Sequence, residues 1–140
     1  LIPIPVVLLD AYFETVPCNC VLLNNVQGAY LAARHLIRTC KTQPGYLHSA
    51  YPISNFAERS SGFYKAVRAA GMSSSRSIVH KLTPSMEGAY ADMMELIKNG
   101  EELAPCYFAD NDLIAVGAIK ALKESGYRIP QDIGIVGFDN

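Results

Sequence analysis

The sequence has no tryptophan and no surplus of charge of either sign: 12 lysines and arginines stand against 13 aspartates and glutamates, a formal net charge of −1. A chain so near neutrality lacks the basic excess with which a domain grips nucleic acid unaided. Long hydrophobic runs are also missing. The run nearest the start, Leu1 to Leu9, is broken by Pro3 and Pro5. It is too short to span a bilayer and has no basic flank of the kind a signal peptide carries, so no membrane partner is expected. No glycine-rich phosphate loop follows any strand-like run, which disfavours a Rossmann or P-loop nucleotide site. No Gly-x-Ser-x-Gly elbow occurs, which disfavours an α/β-hydrolase.

Cysteine and histidine are few and scattered. Cys18 and Cys20 are separated by a single residue, and Cys40, Cys106, His35, His48 and His80 show no ligand spacing. No metal site and no cofactor are expected, and the thiols read as reduced, mostly buried groups of a cytoplasmic protein. Asp10 after Val-Val-Leu-Leu is placed like the phosphoacceptor of a receiver domain. That reading needs an acidic pair at the end of an earlier strand and a lysine near the end of the last one, and neither is present.

What the sequence does have is apolar content and regular alternation. Half of its 140 residues are apolar and 18% are charged, enough for one folded domain with a sizeable core. Strands are expected at Pro5–Leu9, Cys20–Leu23, Gly45–Ser49, Ser77–Leu82, Ala104–Ala109 and Ile133–Phe138. Helices are expected at about Val26–Thr39, Asn55–Ala70, Pro84–Lys98 and Asp112–Ser125, the last three closed by Gly71, Gly100 and Gly126. From Cys20 onward the order is β-α-β-α-β-α-β-α-β. That order predicts an α/β, doubly wound parallel sheet flanked by helices. The strands are continuous apolar runs, as expected when both sheet faces are covered. A loop over Ala11 to Asn19 separates the first strand from the rest.

Ligands of such sheets bind beyond the carboxyl ends of the strands. The residues following the strands are Asn24 and Asn25; Asn55 and Arg59; Thr83 and Ser85; Asp110, Asn111 and Asp112; Asp139 and Asn140. Carboxylates, amides and one guanidinium suit a neutral polyhydroxy ligand, since they accept from vicinal hydroxyls and fork over paired oxygens. No nucleophile–base pair can be assembled, so binding rather than catalysis is expected. Plainer roles exist for each group: Asp112 as a helix cap, Asn111 in a turn, Arg59 as a surface arginine, Asp139 as a strand terminator, and Asn24 and Asn25 as caps.

Two late stretches carry a family resemblance. Pro130–Asn140 (PQDIGIVGFDN) and Phe108–Ala118 (FADNDLIAVGA) resemble the signatures of LacI/GalR-type transcription regulators. Ile4–Asp10, Asn24-Asn25 with Gly28-Ala-Tyr, and Asn55–Phe63 match that family in the same order. The resemblance implies a periplasmic-binding-protein-like effector domain of two α/β subdomains. Residues 1–19 would supply the last strand of the N-terminal subdomain and a connecting loop, and residues 20–140 the C-terminal subdomain. The DNA-reading headpiece would lie outside this chain, which is expected to be a fragment. The resemblance also implies a small-molecule effector, expected to be a carbohydrate, in the cleft between subdomains. It implies operator DNA bound through the headpiece, and a homodimer meeting on exposed helix faces such as Ala115 to Leu122. Residue by residue it assigns effector contacts to Arg59, Asn111 and Asp139. A transport-type sugar-binding protein of the same fold is the alternative. The chain departs from the family at Thr39-Cys40-Lys41, and no aromatic residue stands at Leu82 to Pro84 to stack on a ligand ring.

Overall fold

The computed structural model describes residues 3–139; Leu1, Ile2 and Asn140 lie outside the described residues. The elements run β1 (Val7–Leu9), β2 (Asn19–Val21), α1 (Asn25–Cys40), β3 (Gly45–Ser49), α2 (Ser54–Ala69), a short 3₁₀ turn (Ser74–Arg76), β4 (Val79–Leu82), α3 (Met86–Lys98), β5 (Cys106–Ala109), α4 (Asp112–Glu124) and β6 (Gly134–Val136). Every strand pairing is parallel.

Four strands form one sheet in the order β4-β3-β5-β6, and β1 pairs with β2 in a separate two-stranded sheet. The expectation that the Cys20–Leu23 run opens the main sheet is therefore corrected: Val7 lies opposite Asn19 and Leu9 opposite Val21. An apolar run signals a strand, but it does not say which sheet the strand joins. The burial of the two groups differs as well. All four residues of β5 are buried, whereas all three of β2 are exposed.

Alternation along the strands divides the core into two layers. Tyr46, Cys106 and Phe108 face α1 and α2, packing on Ala29, Ala33, Leu36, Phe63 and Val67. Leu47, Tyr107 and Ala109 face the other way, onto α3 and α4 through Met93, Ile114, Ala118 and Leu122. The periodicity of α1 puts Ala29, Ala33, Leu36 and Ile37 on one face; the first three are buried and Ile37 is half-buried at its edge. The helix ends follow local chemistry. Asn24 caps α1 by accepting from the Gln27 N–H, and Ser85 caps α3 through the Gly88 N–H. Gly71, Gly100 and Gly126 follow α2, α3 and α4 at positive φ, as expected. One cap is reassigned: Asn111, not Asp112, accepts from the Ile114 N–H at 2.9 Å. Asp112 is instead the first residue of α4, where its charge complements the helix dipole.

Candidate functional site

An open α/β sheet has a crevice where neighbouring strands send their connections to opposite faces. Here β3 and β5 are neighbours, α2 leaves β3 on one face and α4 leaves β5 on the other. Asp110, the residue after β5, fills that crevice and is fully buried. Its carboxylate accepts from the Tyr46 hydroxyl, from His48 Nδ1 at 2.6 Å and from the Ser49 backbone N–H at 2.7 Å. Tyr46 and His48 are two residues apart on β3 and so share a face, which lets one carboxylate collect both donors. Three donors replace the water a buried carboxylate has lost. Burial, reinforced by the neighbouring Asp110 charge, raises the Tyr46 hydroxyl far above an ordinary phenol and keeps it a donor.

Arg59, from the second turn of α2, lies beside this group and is only 2% exposed. Its Nε donates to Asn25 Oδ1 at 3.0 Å, Nη1 to the Asp110 carbonyl at 2.7 Å, and Nη2 to Asp139 Oδ1 at 3.1 Å. The guanidinium carbon stands 4.0 Å from the centre of the Phe138 ring, a cation–π contact in a desolvated setting. The network continues away from Arg59. Asn25 Nδ2 donates to Glu58 Oε2 at 2.9 Å and lies 3.4 Å from Asn55 Oδ1. Asn55 Nδ2 donates to the carbonyl and carboxylate oxygens of Asp10 at 3.1 and 3.0 Å. A continuous polar chain thus joins Asp10 at the end of β1 to Asp139 beyond the end of β6. Among the described residues no buried side-chain polar atom lacks a partner.

Of the three residues expected to contact a ligand, Arg59 and Asp139 are brought together. Arg59 is not a surface arginine; three of its N–H groups are committed to protein oxygens. Asp139 has the open surface: its side chain is 42% exposed. Its φ of 104° is sparsely populated for a side-chain-bearing residue, a strain of about 1–3 kcal/mol that the surrounding contacts sustain. Asn111 follows Asp110 directly but hydrogen-bonds neither Arg59 nor Asp139. Its Oδ1 is used on α4 and its amide NH₂ has no protein partner among the described residues. The Tyr46–Asp110–His48 group was not singled out from the sequence. The signal was there as Tyr-x-His inside an otherwise apolar strand, a spacing that puts both polar tips on one face.

The arrangement offers a half-exposed carboxylate, an adjacent guanidinium and an amide donor, groups that bind hydroxyls. His48 has Asp110 on one side but no hydroxyl or thiol nucleophile hydrogen-bonded to it among the described residues. No cluster of three His, Cys, Asp or Glu placed to hold a metal occurs among the described residues.

Comparison with known proteins gives this geometry a context. Residues 33–140 match the family model described as a periplasmic binding protein-like domain. The chain is similar to the HTH-type transcriptional regulator GalS of Salmonella typhimurium, 38% identical over 122 residues that make up 87% of this chain and 36% of that protein. It is similar to the HTH-type transcriptional repressor PurR of Mannheimia succiniciproducens, 31% identical over 98% of this chain and 41% of that protein. Among solved structures it resembles a LacI family transcriptional regulator from Enterococcus faecium with bound ribose. The TM-score is 0.85 at 30% identity, covering 97% of this chain and 50% of the other. The chain thus spans well under half the length of these curated relatives.

Proposed function

The chain belongs to the periplasmic-binding-protein-like family of LacI-type transcriptional regulators, and from that premise we propose that it is the effector-sensing part of such a regulator. A small molecule, a sugar or sugar derivative, binds at the carboxyl edge of the four-stranded sheet. The observation that carries this reading is the Arg59–Asp139 pair: a half-exposed carboxylate aimed by a buried guanidinium at the mouth of the crevice. Asp139 accepts ligand hydroxyls, Arg59 holds Asp139 and stiffens the floor, and the Asn111 amide donates. The ligand alters the regulator's grip on operator DNA through its differential affinity for two arrangements of the molecule.

The domain assignment follows the same reading. A two-stranded sheet is marginal on its own, and β1 and β2 leave Val7, Leu9 and Val21 at 53%, 72% and 60% exposure. We assign these strands to the N-terminal subdomain, whose remaining elements would cover them and close over the ligand. The C-terminal subdomain then follows from α1, and a separate headpiece reads DNA. A second copy docks on the face carrying Met86 of α3 and Leu113 and Val116 of α4, apolar side chains left exposed. Within Ala115 to Leu122, Val116 is the exposed apolar residue; Ala115, Ala118, Ala121 and Leu122 belong to the core. The protein acts by binding, without catalysis, and works in the cytoplasm. The four unpaired cysteines support that compartment. Among the described residues no helix is long and apolar enough to cross a membrane. Every relative named above is a transcription regulator, which favours this reading over a transport-type binding protein.

A thermal-shift screen of the full-length protein against sugars, sugar phosphates and nucleobases tests the proposal. A ligand that binds only the folded state raises Tm by mass action. A hit that disappears in Asp139→Ala supports the site; a hit that Asp139→Ala leaves intact removes Asp139 from it.

A further inference from the structure

A cavity of about 360 Å³ opens next to the crevice, beyond the ends of β3 and β4. His48 and Lys81 both line it, and they stand directly opposite each other across the two strands, so their side chains leave the same face of the sheet a few ångströms apart. Ser54 adds a hydroxyl, that of Ser49 being engaged with the Tyr51 backbone, and Phe56 forms part of the wall. Among the described residues no carboxylate lines it. Asp110, the acid that meets His48 among the described residues, sits behind it at Nδ1 and fixes the ring, leaving Nε2 as the edge still open to solvent or ligand. The His48 side chain keeps 24% of its exposure. Lys81 is exposed and has no ion-pair partner among the described residues. Two groups able to carry positive charge, directly opposite on a sheet, gain nothing from each other; an anion held between them gains from both. The chain at the cavity's rim adds no competing acid: α2 starts at Ser54 with no side-chain cap and no carboxylate in its first turn.

We propose that this cavity is an oxyanion subsite, in which His48 Nε2 and the Lys81 ammonium hold a phosphate group borne by the effector. The inference rests on the reading of the sheet edge as an effector site and goes further by assigning the ligand a charge. Asp139 takes hydroxyls at one end; His48 and Lys81 take the phosphate at the other. Buried Asp110 acts as a positioning residue, holding the imidazole so that a single nitrogen faces the ligand.

The test is NMR on the full-length protein with ¹³C-labelled histidine, the His48 resonance being identified by its loss in His48→Gln. The first probe is inorganic phosphate; the second is a panel of pentose and hexose phosphates with the parent sugars. The expected result is a saturable shift of His48 with phosphate while His80, packed against Tyr107 on the opposite face, stays in place. Lys81→Met is expected to weaken phosphate about tenfold or more, the loss of one charge-assisted contact. At least one sugar phosphate is expected to bind more tightly than phosphate itself. A His48 response no larger than that to equal chloride overturns the subsite, as does unchanged phosphate affinity in Lys81→Met. If no sugar phosphate binds more tightly than inorganic phosphate, the anion is free phosphate and its assignment to the effector is overturned. The two levels fail separately: neutral-sugar binding lost in Asp139→Asn with a silent His48 sinks the subsite alone. Phosphate binding at His48 with no response to any sugar in the wild type sinks the effector reading.

Discussion

Arg59 Nη2 donates to Asp139 Oδ1 at 3.1 Å although the two residues are 80 positions apart, and the pair is lopsided: the arginine side chain is 3% exposed and the aspartate 42%. The same guanidinium satisfies buried oxygens of Asn25 and Asp110. Arg59→Ala is therefore expected to destabilise the fold by about 2–4 kcal/mol, since it strands two buried acceptors. Asp139→Asn removes one half of a partly solvated pair and is expected to cost less than about 1 kcal/mol. Chemical denaturation of the two variants checks the asymmetry; equal losses would mean that Asp139 is as structural as Arg59.

Close helix packing sets a second expectation. A Cβ on Gly62 would stand 2.1 Å from the Val26 carbonyl oxygen, where α2 crosses α1. The obstacle is backbone and cannot rotate away, so Gly62→Ala is expected to cost about 1–3 kcal/mol or more. Ser61→Ala, one residue earlier on the exposed face, is expected to stay within about 0.5 kcal/mol. Melting curves of the pair would expose an error if Gly62→Ala proved neutral.

The pH dependence of stability is expected to involve His80. Burial lowers its pKa from the ordinary 6.5, and its Nε2 lies 3.2 Å from the Tyr107 hydroxyl, which already accepts from the Ala104 N–H and so is placed to donate to a neutral imidazole. In the unfolded chain His80 takes up a proton near pH 6.5, a proton the folded state resists. Its stabilising contribution is present above that pH and is lost as pH falls through the lower folded-state value. His80→Gln, an acceptor that does not titrate, is expected to flatten the decline in denaturation midpoint between neutral and mildly acidic pH. A decline that is unchanged in the variant would assign it to other groups.

Thiol reactivity should follow burial. Burial, with Cys40 as a hydrogen-bonding neighbour, pushes the Cys106 thiol up to about 12, whereas Cys20 is exposed. Alkylation of the native protein at mildly alkaline pH is expected to label Cys20 first and to reach Cys106 only on unfolding, since the thiolate is the reacting form. Mass spectrometry of a time course reads the order directly. Early modification of Cys106 would mean that the α1–β5 layer opens readily.

The elements that could be read from the residues were those with a local cause. The Ala29, Ala33, Leu36 stripe, the glycines after α2, α3 and α4, and the apolar runs of β3 and β5 each announce themselves within a few positions. Their alternation was enough to predict a parallel, doubly wound sheet. Partner choice was not local. The Cys20–Leu23 run reads as a strand of the main sheet, yet the strand forms at Asn19–Val21 and pairs with β1 through contacts no short window contains. The candidate site divides in the same way. Position after a strand gave eleven polar residues and the family resemblance narrowed them to Arg59, Asn111 and Asp139, but their burial and partners depend on residues up to 80 positions away. Asp110 collects Tyr46 and His48 across more than 60 positions, so the group is invisible until β3 and β5 are known to be neighbours. The cap moved from Asp112 to Asn111 because either side chain can cap a helix; only the backbone settles which stands one residue outside it.

A ligand held at Asp139 is expected to change the affinity of the full-length protein for DNA. The direct measurement is operator binding by the wild type and by Asp139→Asn, with and without the effector found by thermal shift, at one fixed salt concentration. A shift in operator affinity of about 5–150-fold, the usual range of allosteric coupling, is expected in the wild type, and little or none in a variant that still binds DNA. Effector binding at Asp139 that leaves operator affinity unchanged would contradict it.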